Sequence, residues 1–175
     1  MGNYIGTDAS GSIALGNSQA GIVMDMGATS NIIGGNSPGM RNIISGNTGP
    51  GIQFQNASAT GNQVLGNFIG TNMSGAAALG NGNHGINFTN AQGNTIGSTT
   101  AGAGNLISGN SGSGVRLWGT STTGNRVVGN SIFTNTVHGV YILMGASANT
   151  IGVSNTIAYN GSAGVAISDT TTLKN

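Results

Sequence analysis

Asparagine recurs in this chain at three sets of matching positions, each beside a short apolar segment. Asn31, Asn62, Asn94, Asn125 and Asn149 open one series of segments, and Asn3, Asn42, Asn67, Asn105, Asn130 and Asn155 open a second. Asn47, Asn72, Asn110, Asn135 and Asn160, with Asp8 in the same slot, close that second series. A primary amide donates and accepts at once, so copies stacked at the strand spacing of about 4.8 Å can bond into a continuous ladder. Such columns require one backbone corner repeated many times, which is the condition for a solenoid.

The segments between the asparagines supply the strands. One set reads NIIG at 31, NQVLG at 62, NTIG at 94, NRVVG at 125 and NTIG at 149; a second reads NYIGTD at 3, NIISGN at 42, NFIGTN at 67, NLISGN at 105, NSIFTN at 130 and NTIAYN at 155. A third reads GIVMDM at 21, GIQFQN at 51, GINFTN at 85, GVRLWG at 114, GVYILM at 139 and GVAISD at 164. Side chains alternate along a strand, so Ile33, Val64, Ile96, Val127 and Ile151 are expected inside on one sheet. Ile5, Ile44, Ile69, Ile107, Ile132 and Ile157 follow on the second. Pairs such as Ile52 with Phe54 and Val115 with Leu117 follow on the third. Abundant glycine (34 of 175 residues) and β-branched residues oppose helix and suit short strands.

Spacing fixes the layers. First-series asparagines lie 31, 32, 31 and 24 residues apart, with Asn175 a further 26 on. The reading is one all-β domain over 1–175, a three-sheet parallel β-helix of about six coils. Its partial first coil is 1–30, followed by coils 31–61, 62–93, 94–124, 125–148 and 149–175. Length differences fall in loops, notably DASGSIALGN after the second strand of one coil and NMSGAAALGN after that of another. Loops that lengthen without disturbing the stack are what nearest-neighbour packing permits.

The motifs GNxIGTDxxGxxALGN, GIxxxxxAxxNxIGG and NxISGNxxxGI, at 2–17, 21–35 and 42–52, resemble the right-handed parallel β-helix repeats of large bacterial surface and secreted proteins. The resemblance implies a right-handed three-sheet helix and an extracellular or cell-surface location. It implies no activity, because this fold hosts enzymes, adhesins and passive stalks alike.

Composition limits the chemistry. Only 4% of residues are charged, with Asp8, Asp25 and Asp169 the acids and Arg41, Arg116, Arg126 and Lys174 the bases. So few dispersed cations exclude a nucleic-acid-binding face. No apolar stretch is long enough to span a bilayer. Cysteine is absent, removing disulfides, thiolate metal sites and thiol catalysis. Polysaccharide cleavage needs grouped carboxylates, whereas Asp8 and Asp25 fall on different sheets and Asp169 several coils away. His84 and His138 share a column two coils apart, about 9.6 Å at strand spacing, too far to share a metal. The expectation is therefore no enzyme, no cofactor and no metal. Four Asn-x-Ser/Thr sequons, at Asn56, Asn72, Asn87 and Asn160, match what chance gives in so Asn-rich a chain.

Two outward clusters remain as candidate contact surfaces. Tyr4, Ile43, Phe68 and Leu106 form an apolar stripe on the second sheet, readable as a lateral interface or as a surface roofed by the chain's own loops. Arg116, Trp118, Tyr141 and Leu143 cluster on the third sheet, where they could meet a surface glycan or a protein. Neither end carries a helical or charged cap, and Asn175 occupies the slot that begins another first strand. Uncapped coils predict head-to-tail self-association into a filament, stalk or surface layer. The alternative is an adhesin or carbohydrate-binding segment of a larger surface protein.

Overall fold

The computed structural model describes residues 2–172 and 174–175. Three parallel sheets wind around one core. The first sheet comprises Ile32–Gly34, Gln63–Leu65, Thr95–Ile96, Arg126–Val127 and Thr150–Ile151. The second comprises Tyr4–Ile5, Ile43–Ile44, Phe68–Ile69, Leu106–Ser108, Ser131–Phe133 and Thr156–Ala158. The third comprises Ile22–Met24, Ile52–Gln55, Ile86–Thr89, Val115–Trp118, Val140–Leu143 and Val165–Ile167. Strand order in each sheet follows the chain one turn at a time, which defines a parallel β-solenoid of between five and six turns.

Register stacks like on like. Ile44, Ile69, Ile107, Ile132 and Ile157 are successive cross-strand partners. Ile52, Ile86, Val115 and Val140 form a parallel column in the third sheet. Central members of these columns are fully buried. Phe54 and Phe88 lie ring on ring, centroids 4.6 Å apart and planes within 4°. Burying one side chain of this size is worth about 1.5–3 kcal/mol, so the column of core residues supplies most of the axial cohesion.

Corners between strands are where such a chain is exposed to failure, because a bend leaves carbonyls without ladder partners. Asparagine solves this in every turn. Asn94 Nδ2 donates to Asn125 Oδ1 in the next coil, to the Ala59 carbonyl of the preceding coil (2.8 Å) and to the Gln92 carbonyl two residues back (2.8 Å). Its Oδ1 in turn accepts the backbone N–H and the amide of Asn62. The same pattern runs Asn31–Asn62–Asn94–Asn125–Asn149–Asn175 and Asn3–Asn42–Asn67–Asn105–Asn130–Asn155.

The third ladder differs from the expected column. It runs Asn17–Asn47–Asn81–Asn110–Asn135–Asn160, so Asn81 replaces Asn72 and Asn17 occupies the place assigned to Asp8. The two insertions bulge out as short antiparallel hairpins, with Thr7 bridged to Ala14 and Thr71 to Ala78. Each corner is therefore completed by the asparagine after the loop, not the one before it. Asp8 and Asn72 act inside their loops: Asp8 accepts the N–H groups of Ser12 and Ile13, and Asn72 accepts that of Ala77.

The residue ahead of the first ladder is left-handed in every turn: Ser30, Gly61, Gly93, Gly124, Ala148 and Lys174 have φ between +53° and +69°. This bend turns the chain so that the following amide points into the corner. At Gly70 (φ +91°) space matters as well, since a Cβ would fall 2.2 Å from the Ser108 carbonyl oxygen and 2.4 Å from Asn110 Oδ1.

Two stability measurements follow. Asn81→Ala removes buried bonds to two neighbouring coils and is expected to cost about 3 kcal/mol, while Asn72→Ala touches only an exposed loop and costs about 1 kcal/mol or less by urea denaturation. Ala148→Gly relieves a left-handed alanine at a position where three coils already carry glycine, and is expected to stabilise by about 0.5–1 kcal/mol in the same assay.

Candidate functional site

The two outward clusters meet different fates. On the second sheet the apolar stripe is largely roofed. Ile43 is buried and Phe68 and Leu106 are half-buried, while Tyr4 remains exposed. The Arg41 guanidinium lies 4.0 Å over the Phe68 ring and its Nε donates to the Gly66 carbonyl. Gly75 in the second insertion packs so closely that a Cβ there would stand 2.9 Å from Phe68 and 3.0 Å from Leu106. The two insertions also brace each other, Met73 N–H bonding the Gly11 carbonyl and the Tyr4 hydroxyl reaching Met73 Sδ at 2.9 Å. Of the two readings of the stripe, the chain's own loops account for most of it.

On the third sheet the cluster is assembled as the strand register demands. Arg116 is the cross-strand partner of Asn87 on one side and Tyr141 on the other; Trp118 lies between Thr89 and Leu143. The Arg116 guanidinium stands 5.6 Å over the Trp118 ring, and the His138 ring lies 4.6 Å from that of Tyr141. Arg116, Trp118, Tyr141 and Leu143 are all half-buried. Burial holds the guanidinium below its usual pKa, with Tyr141 acting in the opposite sense.

The histidines serve the turn before this sheet. His84 Nδ1 accepts the Ser113 N–H at 2.9 Å and His138 Nδ1 accepts that of Ala163 at 3.2 Å. With Nδ1 an acceptor, the neutral ring carries its proton on Nε2. Burial, and secondarily the positive charge of Arg116, pushes the His84 pKa down to about 4. Sequence spacing placed the two histidines in one column; the contact of His138 with Tyr141 depends on side-chain direction, which spacing does not encode.

A polar shelf adjoins the aromatic residues and was not expected from the sequence. Asn87 Nδ2 donates to Gln53 Oε1 at 2.8 Å, and Gln53 Nε2 reaches Thr89 Oγ1 at 3.2 Å. Asn87 Oδ1 is buried and accepts no hydrogen bond. The signal was available in the register, since Gln53, Asn87 and Arg116 stand in one outward column.

The acids are all engaged in turns. Asp8 is drawn down to about 2 by the Ser10 hydroxyl first and then by the N–H groups of Ile13 and Ser12. Asp169 is drawn down to about 2, chiefly by the Thr171 hydroxyl, while Asp25 is lowered mainly by the Asn56 amide. Among the described residues no group of three or more His, Cys, Asp or Glu is placed to hold a metal ion, and no helix is long and apolar enough to cross a membrane. Of the sequon asparagines, Asn87 is buried, and Asn160 belongs to a ladder.

Comparison with protein-family models, curated proteins and solved structures gave no match. The fold itself defines the class, a parallel β-solenoid with three asparagine ladders.

The His84 environment sets a pH test. A folded pKa below the unfolded value means that the unfolded chain binds more protons, so stability falls as pH drops from about 6.5 to about 4. Imidazole NMR titration should place one histidine near 4, and the same acid-induced loss of stability should be smaller in His84→Asn.

Proposed function

We propose that this chain is a structural, non-enzymatic β-solenoid that stacks head to tail with further copies into a filament, stalk or surface layer. The observation that carries the reading is the state of the core at its last coil. Val165 and Ile167 are 43% and 55% exposed, although the residues in the same columns two turns earlier, Val115 and Leu117, are fully buried. Ile151 and Ile157 are likewise only partly covered. At the opposite face Ile5 and Ile22 are partly buried.

Ladder polarity fits the two faces to each other. Every rung donates toward the C-terminal coil, where the next asparagine accepts. The N-terminal face therefore presents Oδ1 acceptors at Asn3, Asn17 and Asn31, and the C-terminal face presents backbone N–H donors at Asn155 and Asn160. Apolar columns and directional donors pairing with acceptors give a heterologous contact that propagates along one axis.

The acids support a non-enzymatic role. General acid catalysis calls for a carboxyl with a raised pKa, and Asp8, Asp25 and Asp169 are all shifted the other way by hydrogen bonds within their turns. The extracellular or cell-surface setting rests on the likeness of the repeat motifs to surface and secreted β-helix repeats.

Sedimentation velocity with electron microscopy tests the stacking. Linear oligomers should lengthen with concentration, and Ile167→Lys, which places a charge on the open apolar end, should abolish them. A monodisperse monomer at the highest soluble concentration would remove the proposal.

A further inference from the structure

The outer face of the third sheet holds a concentration of hydrogen-bonding groups that the fold leaves unused. The Arg116 guanidinium, with five N–H donors, makes no hydrogen bond within the described chain, and neither do Trp118 Nε1, the Tyr141 hydroxyl or His84 Nε2. Asn87 Oδ1, one strand from Arg116, is a buried acceptor with no donor. Asn87 Oδ1 is the member of this set that the fold takes out of water, where polar groups normally find partners, and the other four stand beside it on half-buried side chains.

Arg41 provides the internal comparison. It too lies over an aromatic ring, but its Nε bonds a carbonyl and the neighbouring insertion loop packs beside the ring. That pair belongs to the fold. The Arg116–Trp118 pair has no loop bonded across it, since the hairpin insertions lie on the second sheet.

The site is also electrically incomplete. Asp8 and Asp25 lie in turns of the first coil and Asp169 in a turn of the last, each held by its own neighbours. None balances Arg116, and Tyr141 is the single ionisable group that favours its charge. Neutral His84 adds a donor without adding charge. A ligand suited to these groups has a flat apolar face to lie on an indole or phenol ring, hydroxyls for the polar rim, and a negative charge for the guanidinium.

We infer that this face binds an acidic sugar, with the pyranose ring of a uronic acid stacked on Trp118 and Tyr141 and its carboxylate on Arg116. Occupation of the Trp118 ring displaces the guanidinium toward Asn87, so its donors divide between the carboxylate and the Asn87 Oδ1 that accepts nothing in the free protein. Gln53 and Thr89 hold the Asn87 amide in place for this exchange. Adjacent strands repeat at about 4.8 Å, which sets Arg116 and Tyr141 side by side across one sugar ring.

Trp118 is the single tryptophan of the chain, so its fluorescence reports on this face alone. The experiment titrates dilute, monomeric protein with an oligo-galacturonate, its methyl ester and inorganic sulfate, so the outcome is independent of stacking. A saturable change in Trp118 emission is expected with the acid. Esterification and Arg116→Gln, with circular dichroism confirming that the variant is folded, should each weaken binding at least tenfold. Calorimetry of Trp118→Ala should show no binding, and sulfate, which supplies charge without a ring, should leave the emission unchanged. An unchanged emission with the acid, equal binding by the ester, full affinity in Arg116→Gln, or binding of sulfate as tight as that of the acid would each overturn the inference.

Discussion

The amide of a corner asparagine is the interaction on which this structure depends. A three-sheet solenoid of short strands has many bends, and each bend leaves carbonyls that no strand ladder can satisfy. With so little charge and no disulfide, the chain has few other means to fix its corners. Asparagine fits because it donates twice and accepts twice in a plane, so one side chain bonds the coil above, the coil below and its own bend. Aspartate lacks the donors. Serine is too short to reach both neighbours. The left-handed residue ahead of the first ladder is the second half of the device, since without it the amide would point out of the corner.

Most of this was legible in the sequence because the repeat tests itself. The period-two apolar columns predicted the buried faces, and Ile44, Ile69, Ile107 and Ile132 occupy them as successive partners. Two ladders appear with the residues expected. The third did not follow because ALGN-type insertions separate the strand from its corner. Asn72 follows Thr71 much as Asn47 follows Gly46, and only the hairpin closed by Thr71 and Ala78 shows that the chain returns to the corner at Asn81. Local resemblance between segments gave the wrong partner where backbone topology was the deciding term.

Surfaces were less legible, for the same reason. An outward column on a strand can be read from alternation, but its cover depends on where loops fall. The stripe from Tyr4 to Leu106 is readable from the sequence as an interface or as a roofed surface, and the packing of Gly75 and Arg41 against the Phe68 ring favours the roof. Arg116, Trp118 and Tyr141 could be placed side by side from register alone. The polar shelf of Gln53, Asn87 and Thr89, and the buried acceptor one strand from Arg116, required side-chain geometry.

A solenoid built this way separates cohesion from recognition. Inward positions and corners hold the stack together and change little from coil to coil, because any departure is felt by both neighbours. Outward positions lie outside the core and vary from coil to coil. The third sheet illustrates the consequence: along one outward column the residue changes from Val23 to Gln53, Asn87, Arg116, Tyr141 and Ala166, while the inward column beside it stays apolar throughout. A fold whose ladder tolerates any outward residue can carry a binding face in its central coils and an assembly contact at its ends, each altered without disturbing the other.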